Sequence, residues 1–483
     1  MNRVHFGFFR RLVALLLVAL LLFTAVACTK EQEVPVYGAP DLTLREDELP
    51  NPLDSAPTED TTDYEGLAAG VFEGAVAAAA ADFTFEAVEG GLMAVAYGGA
   101  GGVVVIPDEV DGVAVVALGD GLFKDNTALT ALFIPDTVTS IGTDLLSGCR
   151  ALTALRTPQL GAQRSDEGYL AYLFGGKSAQ AGAFKIGSSL DTVILSDVMV
   201  ELPSMAFYSC YRLVMVILPE GMERIGSYAF YGCSSLRYAP LRDSLREIGD
   251  GAFAECTSLL GATVPDTVER IGLGAWMSCT AMERISLPFV GETRSDNTHL
   301  GYIFGAESYT WNRSFLPARL QSVTVRSGDI PNYAFYECVN LYRVTLPQDC
   351  TSIGVRAFHG ASSLLSIDIP DSVTHIGDMA FSDCAWLSEV SLGDGLVEIG
   401  MQAFMGCINL VSIEIPDEVT MLTPSLFSGC KRLEAVVVGD GLTTIDDDVF
   451  HNCISLSAVT TRSGAAVDAS VVNVGRNNGI LSK

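Results

Sequence analysis

Residues 384–407 read CAWLSEVSLGDGLVEIGMQAFMGC, and the frame they set recurs along most of the chain. Cys384, Cys407, Cys430 and Cys453 are 23 residues apart, as are Cys210, Cys233, Cys256 and Cys279. Three residues before these cysteines stands an aromatic that closes an Ala-Phe pair, as in Ala229-Phe230, Ala252-Phe253, Ala380-Phe381 and Ala403-Phe404, with Ala275-Trp276 as a variant. Three residues after, Leu or Met opens L-x-x-V-x-I/L: Leu387-x-x-Val390-x-Leu392, Leu410-x-x-Ile413-x-Ile415, Leu341-x-x-Val344-x-Leu346. A Pro-Asp or Gly-Asp turn follows (Pro370-Asp371, Gly393-Asp394, Pro416-Asp417). Then V/L-x-x-I-G leads to the next Ala-Phe (Val373-x-x-Ile376-Gly377, Leu396-x-x-Ile399-Gly400).

A 23-residue unit of this kind is one coil of a solenoid. The alternation in L-x-x-V-x-I predicts a strand with its apolar side inward, Pro or Gly followed by Asp turns the chain, and Ile-Gly with Ala-Phe fills the opposite wall. One coil alone cannot bury both sides, so neighbours stack and share a core. Parallel strands of adjacent coils are then about 4.8 Å apart. The hydrophobic fraction, 49%, is ample for such an interior.

Two intervals depart from the period. Cys149 to Cys210 spans 61 residues and Cys279 to Cys338 spans 59, while the strand starts Leu152 to Leu190 and Met282 to Leu320 are each 38 apart. Each is one coil with a 15-residue excursion. The two resemble each other: Arg164-Ser165-Asp166 with Tyr169–Gly175, and Arg294-Ser295-Asp296 with Leu300–Gly305. The array reads as internally duplicated. About fourteen coils are expected over residues 120–460, with excursions at 158–187 and 288–317, an N-terminal cap at 82–119 and a polar C-terminal end at 461–483. The expected fold is a β-rich, curved, right-handed leucine-rich-repeat solenoid.

The first 27 residues are an address. Arg3, Arg10 and Arg11 precede the apolar run LVALLLVALLLF of Leu12–Phe23, and Thr24-Ala25-Val26-Ala27-Cys28 ends in small residues. This is a secretory signal by its physics, too short for a stable span. Its end resembles a bacterial lipobox, with Ala25 where Leu is commonest. By that resemblance Cys28 becomes the first mature residue and carries a diacylglycerol that anchors the protein to the membrane. Residues 28–81 read as an acidic tether with five prolines between Pro35 and Pro57, followed by a short Ala-rich segment able to form a helix.

The repeat resembles the BspA-like, treponemal-type leucine-rich-repeat surface proteins over about residues 83–460. Unlike ordinary leucine-rich repeats, no Asn or Cys follows the strand at the usual offset, and the cysteine ladder lies on the other wall. The resemblance implies the extracellular side of a bacterial cell membrane and a binding or adhesion role toward a protein ligand, such as a host matrix or cell-surface protein. The alternative is a structural spacer of the envelope without a specific ligand.

Chemistry of other kinds finds little footing. The net charge of −29 repels phosphate backbones, so nucleic acid is excluded as a main partner. The five histidines (His5, His299, His359, His375, His451) are scattered, and no H-x-x-x-H, C-x-x-C, phosphate loop or G-x-S-x-G occurs. Catalytic residues, metal ligands and cofactors are therefore not expected. The ladder cysteines read as buried packing thiols, with disulfides as the alternative. The row Asp136, Asp266, Asp371, Asp394, Asp417, Asp440 reads as Asx-capped turns, with calcium between stacked carboxylates as the alternative. Binding is placed on the outward strand positions, which vary while the core repeats: Phe133, Arg156, Ile217, Thr345, Asp368, Glu414 and Val437. Phe133, Ile217 and Val437 are apolar where water is expected, which an interface explains.

Overall fold

The computed structural model describes residues 63–164, 168–187, 189–465 and 467. The signal segment, Cys28 and the tether up to residue 62 lie outside them, as does most of the C-terminal end. The described chain is a β-solenoid of about 16 turns.

On one wall the L-x-x-V-x-I segments pair in parallel. Ile285 faces Val323, which in turn faces Val344, and Ser412–Glu414 pairs with Ala435–Val437. The 38-residue intervals keep the same register: Ala154 faces Thr192 and Arg284 faces Ser322. The excursions therefore leave the ladder unshifted, and every side chain keeps its face.

The second wall is built from two-residue strands at x-Ile-Gly. Arg224-Ile225, Glu247-Ile248 and Arg270-Ile271 pair in sequence, as do His375-Ile376 and Glu398-Ile399. The glycine is there because coils touch backbone to backbone. A Cβ on Gly249 would sit 2.5 Å from the amide nitrogen of Ser227 in the preceding coil, closer than any real contact.

The Ala-Phe segments form the third side. The rings stack along the axis: Phe207 on Phe230 at 5.2 Å, Phe230 on Phe253 at 4.9 Å, Phe253 on Trp276 at 5.9 Å, and Phe335 through Phe450 likewise. All of these rings are buried, as are the eleven described cysteines, whose thiols are free. Most ladder thiols donate to the carbonyl of the phenylalanine 26 residues earlier, one coil back.

The excursions rebuild this third side in two places. Leu170–Phe174 and Leu300–Phe304 are 3-10 turns ended by left-handed Gly175 and Gly305. Leu146 N–H donates to Leu173 O and Leu170 N–H to Ala206 O; Trp276 N–H donates to Ile303 O and Leu300 N–H to Ala334 O. Each turn thus occupies the gap left where its coil has no Ala-Phe-x-x-Cys.

At the N-terminal end, Phe83–Val88 and Gly91–Tyr97 form an antiparallel hairpin, which hands over to the parallel stack through Val113–Leu118. Phe83, Tyr97 and Phe123 close the core there. Before the hairpin, Tyr64–Phe72 is a helix, α1, whose N-cap Asp63 accepts from Gly66 N–H at 2.8 Å. Nine residues are too few for a stable helix in water, and α1 is held by what it lies against.

Candidate functional site

The outward strand row is a register, and the ladder fixes its members. Phe133, Arg156, Ile194 and Ile217 are consecutive. Thr263, Ser286, Thr324 and Thr345 follow in a second sheet, then Asp368 beside Ser391, and Glu414 beside Val437. Ile194 and Thr324 belong to the row but were not among the positions picked from the sequence. They stand four residues after Leu190 and Leu320, the strand starts displaced by the excursions.

The row divides in two. Over its first part lies α1. Ala68, 2% exposed, packs against Met215, with Ile194, Ile217 and Tyr238 around it. The Phe72 ring meets Phe133 edge-on at 5.6 Å, and the Arg156 guanidinium covers the Phe133 ring at 4.2 Å. Glu65 pairs with Arg242 at 2.8 Å and accepts from the Tyr238 hydroxyl at 3.4 Å. Farther on, Ala77 bridges Val105, with Ala78 N–H donating to Val105 O. The expectation that Phe133 and Ile217 are open apolar positions is thus corrected. They are covered from within the chain by α1, whose small Ala68 fits among the rings and branched side chains of the row; the alanine run from Ala77, expected to be helical, instead bridges Val105 and ends in a 3-10 turn at Ala80–Asp82.

In the second part Thr345, Asp368 and Glu414 are exposed and Val437 is half-buried. Arg462, from the last turn, reaches back across this part to Glu414 at 2.9 Å, Asp417 at 3.0 Å and Asp394 at 3.7 Å.

Between the two parts the strand wall opens into a cavity of about 590 Å³. Its cause is local sequence. The coil starting at Leu236 carries Ala239-Pro240, so a small side chain replaces the buried Val and the proline offers no N–H to the ladder. An isolated bridge, Met215 to Tyr238, with hydrogen bonds between Val216 N–H and Tyr238 O and between Arg237 N–H and Val214 O, joins that coil to the first sheet in place of a strand. The next coil carries Gly261-Ala262, again undersized beside Ile285. The lining reaches through to Phe253 and Trp276 of the aromatic ladder, and Arg237, Arg284 and Arg326 stand round it with Asp243 and Asp266.

Two polar networks flank these surfaces at equivalent places of the duplicated halves. Arg156 pairs with Asp136 at 2.9 Å, donates to Ser196 Oγ at 3.3 Å and to Ile134 O at 3.0 Å, and Ser196 donates to Asp136 at 2.5 Å. In the second copy Arg326 pairs with Asp266 at 2.7 Å and donates to Ser286 Oγ at 2.6 Å and to Val264 O. Arginine and serine have exchanged coils, and the network is kept. Burial pushes the Asp136 carboxyl up, but hydrogen bonds from Arg156 and Ser196 and the charges of Arg156 and Arg164 outweigh it, leaving the group below its ordinary range.

For the Asp row, Asp394 N–H donates to Asp371 Oδ1 and Asp440 N–H to Asp417 Oδ1, each at 3.0 Å, so these carboxylates hold the turn of the next coil. Among the described residues no group of three or more His, Cys, Asp or Glu is placed to hold a metal ion. No described helix is long and apolar enough to cross a membrane.

A family model described as BspA type leucine rich repeat region matches residues 113–167, 177–294 and 328–457, together more than half of the chain. Among solved structures, the chain is similar to a leucine rich cell surface protein from Faecalibacterium prausnitzii, at 24% identity over 82% of this chain and 98% of that one, with a TM-score of 0.32. It is also similar to a leucine-rich repeat protein from Bacteroides ovatus (21%, 78% and 92%, 0.32) and to the leucine rich repeat protein of T. pallidum (18%, 69% and 91%, 0.15). No curated protein matches the sequence.

Proposed function

Because the chain belongs to the BspA-type leucine-rich-repeat family, we propose that it is a cell-surface binding scaffold whose ligand is a protein docked on the strand face beyond α1. One observation carries this reading. The same register row is covered by α1 from Phe133 to Ile217, whereas farther along Thr263, Thr345, Asp368, Ser391 and Glu414 are exposed and differ in charge and size above a repeated core. A repeated interior fixes the geometry and the unrepeated row is left to be read.

Display follows from the N-terminus. Cys28, after the basic and apolar segments, is taken as the lipidated first residue, with the acidic stretch behind it as spacer from the membrane. Mass spectrometry of the mature N-terminus tests this: a diacylglyceryl cysteine supports it, and cleavage without lipid refutes it.

For the ligand face, the full chain is tested against a panel of host matrix and cell-surface proteins, together with Thr345→Lys/Asp368→Lys/Glu414→Lys. Binding that falls at least tenfold in the triple variant, with the thermal transition unchanged, supports the reading. Absence of any ligand in the panel, or a ligand indifferent to the triple variant, overturns it in favour of a spacer, whose phenotype would track the number of coils.

A further inference from the structure

The cavity between the two parts of the face has the size of a ligand site, about 590 Å³ against roughly 300–1,000 Å³ for typical pockets. It is not a loose fit between loops. It lies where Ala239 and Ala262 replace the Val and Ile of flanking coils, and its lining reaches Phe253 and Trp276 of the aromatic ladder. Emptiness there costs packing, and nothing in the repeat demands it, since other coils fill the slot.

In a chain of net charge −29, Arg237, Arg284 and Arg326 stand round this opening with Asp243 and Asp266, and Arg326 is paired with Asp266, so Arg237 and Arg284 leave a small basic excess. Four strands further on, past Ser322, Arg343 and Ser366, the position of Arg284 is taken by Glu389, next to Asp368. This register row thus runs from Arg284, past Arg343, to Glu389 over about 19 Å, four strand spacings.

The neighbouring helix shows what this surface accepts. On the near side of the opening, α1 inserts the apolar Ala68 among Met215, Ile217 and Tyr238 and sets the Glu65 carboxylate on Arg242.

We propose that the cavity is the anchor site of the ligand face: it takes one apolar side chain of the protein ligand, with an adjacent ligand carboxylate on the guanidiniums of Arg237 and Arg284. The ligand segment then runs toward Asp368 and Glu389 with basic residues, about six extended residues from the anchor. This rests on the strand face being the ligand surface and adds which chemistry it reads and in which direction.

The probe is a fluorescein-labelled peptide, acetyl-Glu-Leu-Glu-Gly-Ser-Gly-Ser-Lys-Lys-amide, titrated into the full chain by anisotropy, with the same residues in reverse order as control. The forward peptide is expected to bind at least tenfold more tightly than the reverse. Ala262→Leu, which fills the cavity, and Arg284→Glu, at its rim, should each weaken it at least tenfold. Because Ala262→Leu can disturb packing, Arg237→Glu is measured alongside, and each variant's thermal transition is recorded. A peptide that fails to bind, binds equally in both directions, or ignores both rim variants overturns the anchor. A panel ligand lost in the triple face variant but insensitive to Ala262→Leu and Arg284→Glu would leave the face standing and remove the anchor alone.

Discussion

The Cys256 thiol donates to the carbonyl oxygen of Phe230 at 3.3 Å, 26 residues back and one coil away. It explains why cysteine recurs at 23 residues: the slot takes a small side chain carrying one weak donor, which meets the second lone pair of a buried carbonyl that already accepts from Cys233 N–H. Where an excursion replaces the preceding coil, the carbonyl is missing. Cys210 turns to Tyr208 O at 3.9 Å, and Cys338 meets the Asn312 amide at 3.8 Å.

Burial pushes these thiols up, Cys279 to about 12 and Cys149, Cys350 and Cys453 to about 11, so thiolate is scarce at neutral pH. A disulfide reagent at pH 8 is expected to label none of the eleven described cysteines in the native protein and all of them in guanidinium. Rapid native labelling of any one would contradict the packing role. Cys256→Ala should lower the thermal transition more than Cys210→Ala, by up to about 1 kcal/mol of stability, since the Phe230 carbonyl loses its thiol donor and keeps only the Cys233 N–H.

The exchanged networks give a double-mutant cycle. Arg156→Ser removes hydrogen bonds to a carboxylate, a hydroxyl and a backbone carbonyl, for an expected loss of about 1–2 kcal/mol. Adding Ser196→Arg rebuilds in the first half what Arg326 and Ser286 make in the second, and should recover most of that loss. Denaturant midpoints report it. If the double variant is no more stable than Arg156→Ser, the two halves are not equivalent.

His299 gives a pH dependence. It is buried in the second excursion, with Nδ1 3.0 Å from Asn312 Oδ1, which also accepts from Gly301 N–H. Burial holds its pKa below the ordinary value, and the hydrogen bond its Nδ1–H donates to Asn312 Oδ1 only partly counters that. The unfolded chain thus takes up a proton on His299 near pH 6.5 while the folded chain resists it. Below that pH the unfolded state binds more protons, so stability falls as pH drops from about 6.5 toward 5. Asp136, Glu292 and Asp329, all held below their ordinary values, act lower. His299→Gln should flatten the transition temperature between pH 5 and 7. An unchanged slope would place the dependence elsewhere.

What the sequence showed and what it hid divide along one physical line. The coil, its strand, the thiol slot and the duplicated excursions repeat at fixed spacing, so each copy reinforces the next, and Leu387–Phe404 alone contains the pattern. The excursions' work in rebuilding the wall did not show, because Leu170–Phe174 has no adjacent Ala-Phe pair and no cysteine three residues on, and reaches Leu146 and Ala206 only through space. The cavity lay in two ordinary alanines, Ala239 and Ala262, whose deficit appears only when their coils are stacked. The cover over Phe133 and Ile217 comes from a segment outside the repeat, whose alanine run suggests a helix at the wrong end: the helix forms at Tyr64–Phe72 and the run from Ala77 does not join it.

That docking can be tested directly. Ala68 sits with almost no exposed surface among Met215, Ile194, Ile217 and Tyr238, so Ala68→Glu places a charge where neither space nor a partner exists. With so short a helix, loss of the contact is loss of the helix. Phe72→Ala removes only the edge-on ring pair with Phe133, worth about 0.5–1.5 kcal/mol beyond its burial, and should loosen α1 without releasing it. Hydrogen exchange over residues 64–78 is expected to rise strongly in Ala68→Glu and modestly in Phe72→Ala. The strands from Gly261 onward should be unaffected, since their ladder is a separate sheet. Equal protection of α1 in Ala68→Glu and the native chain would mean that the Ala68 contact does not hold the helix on the face.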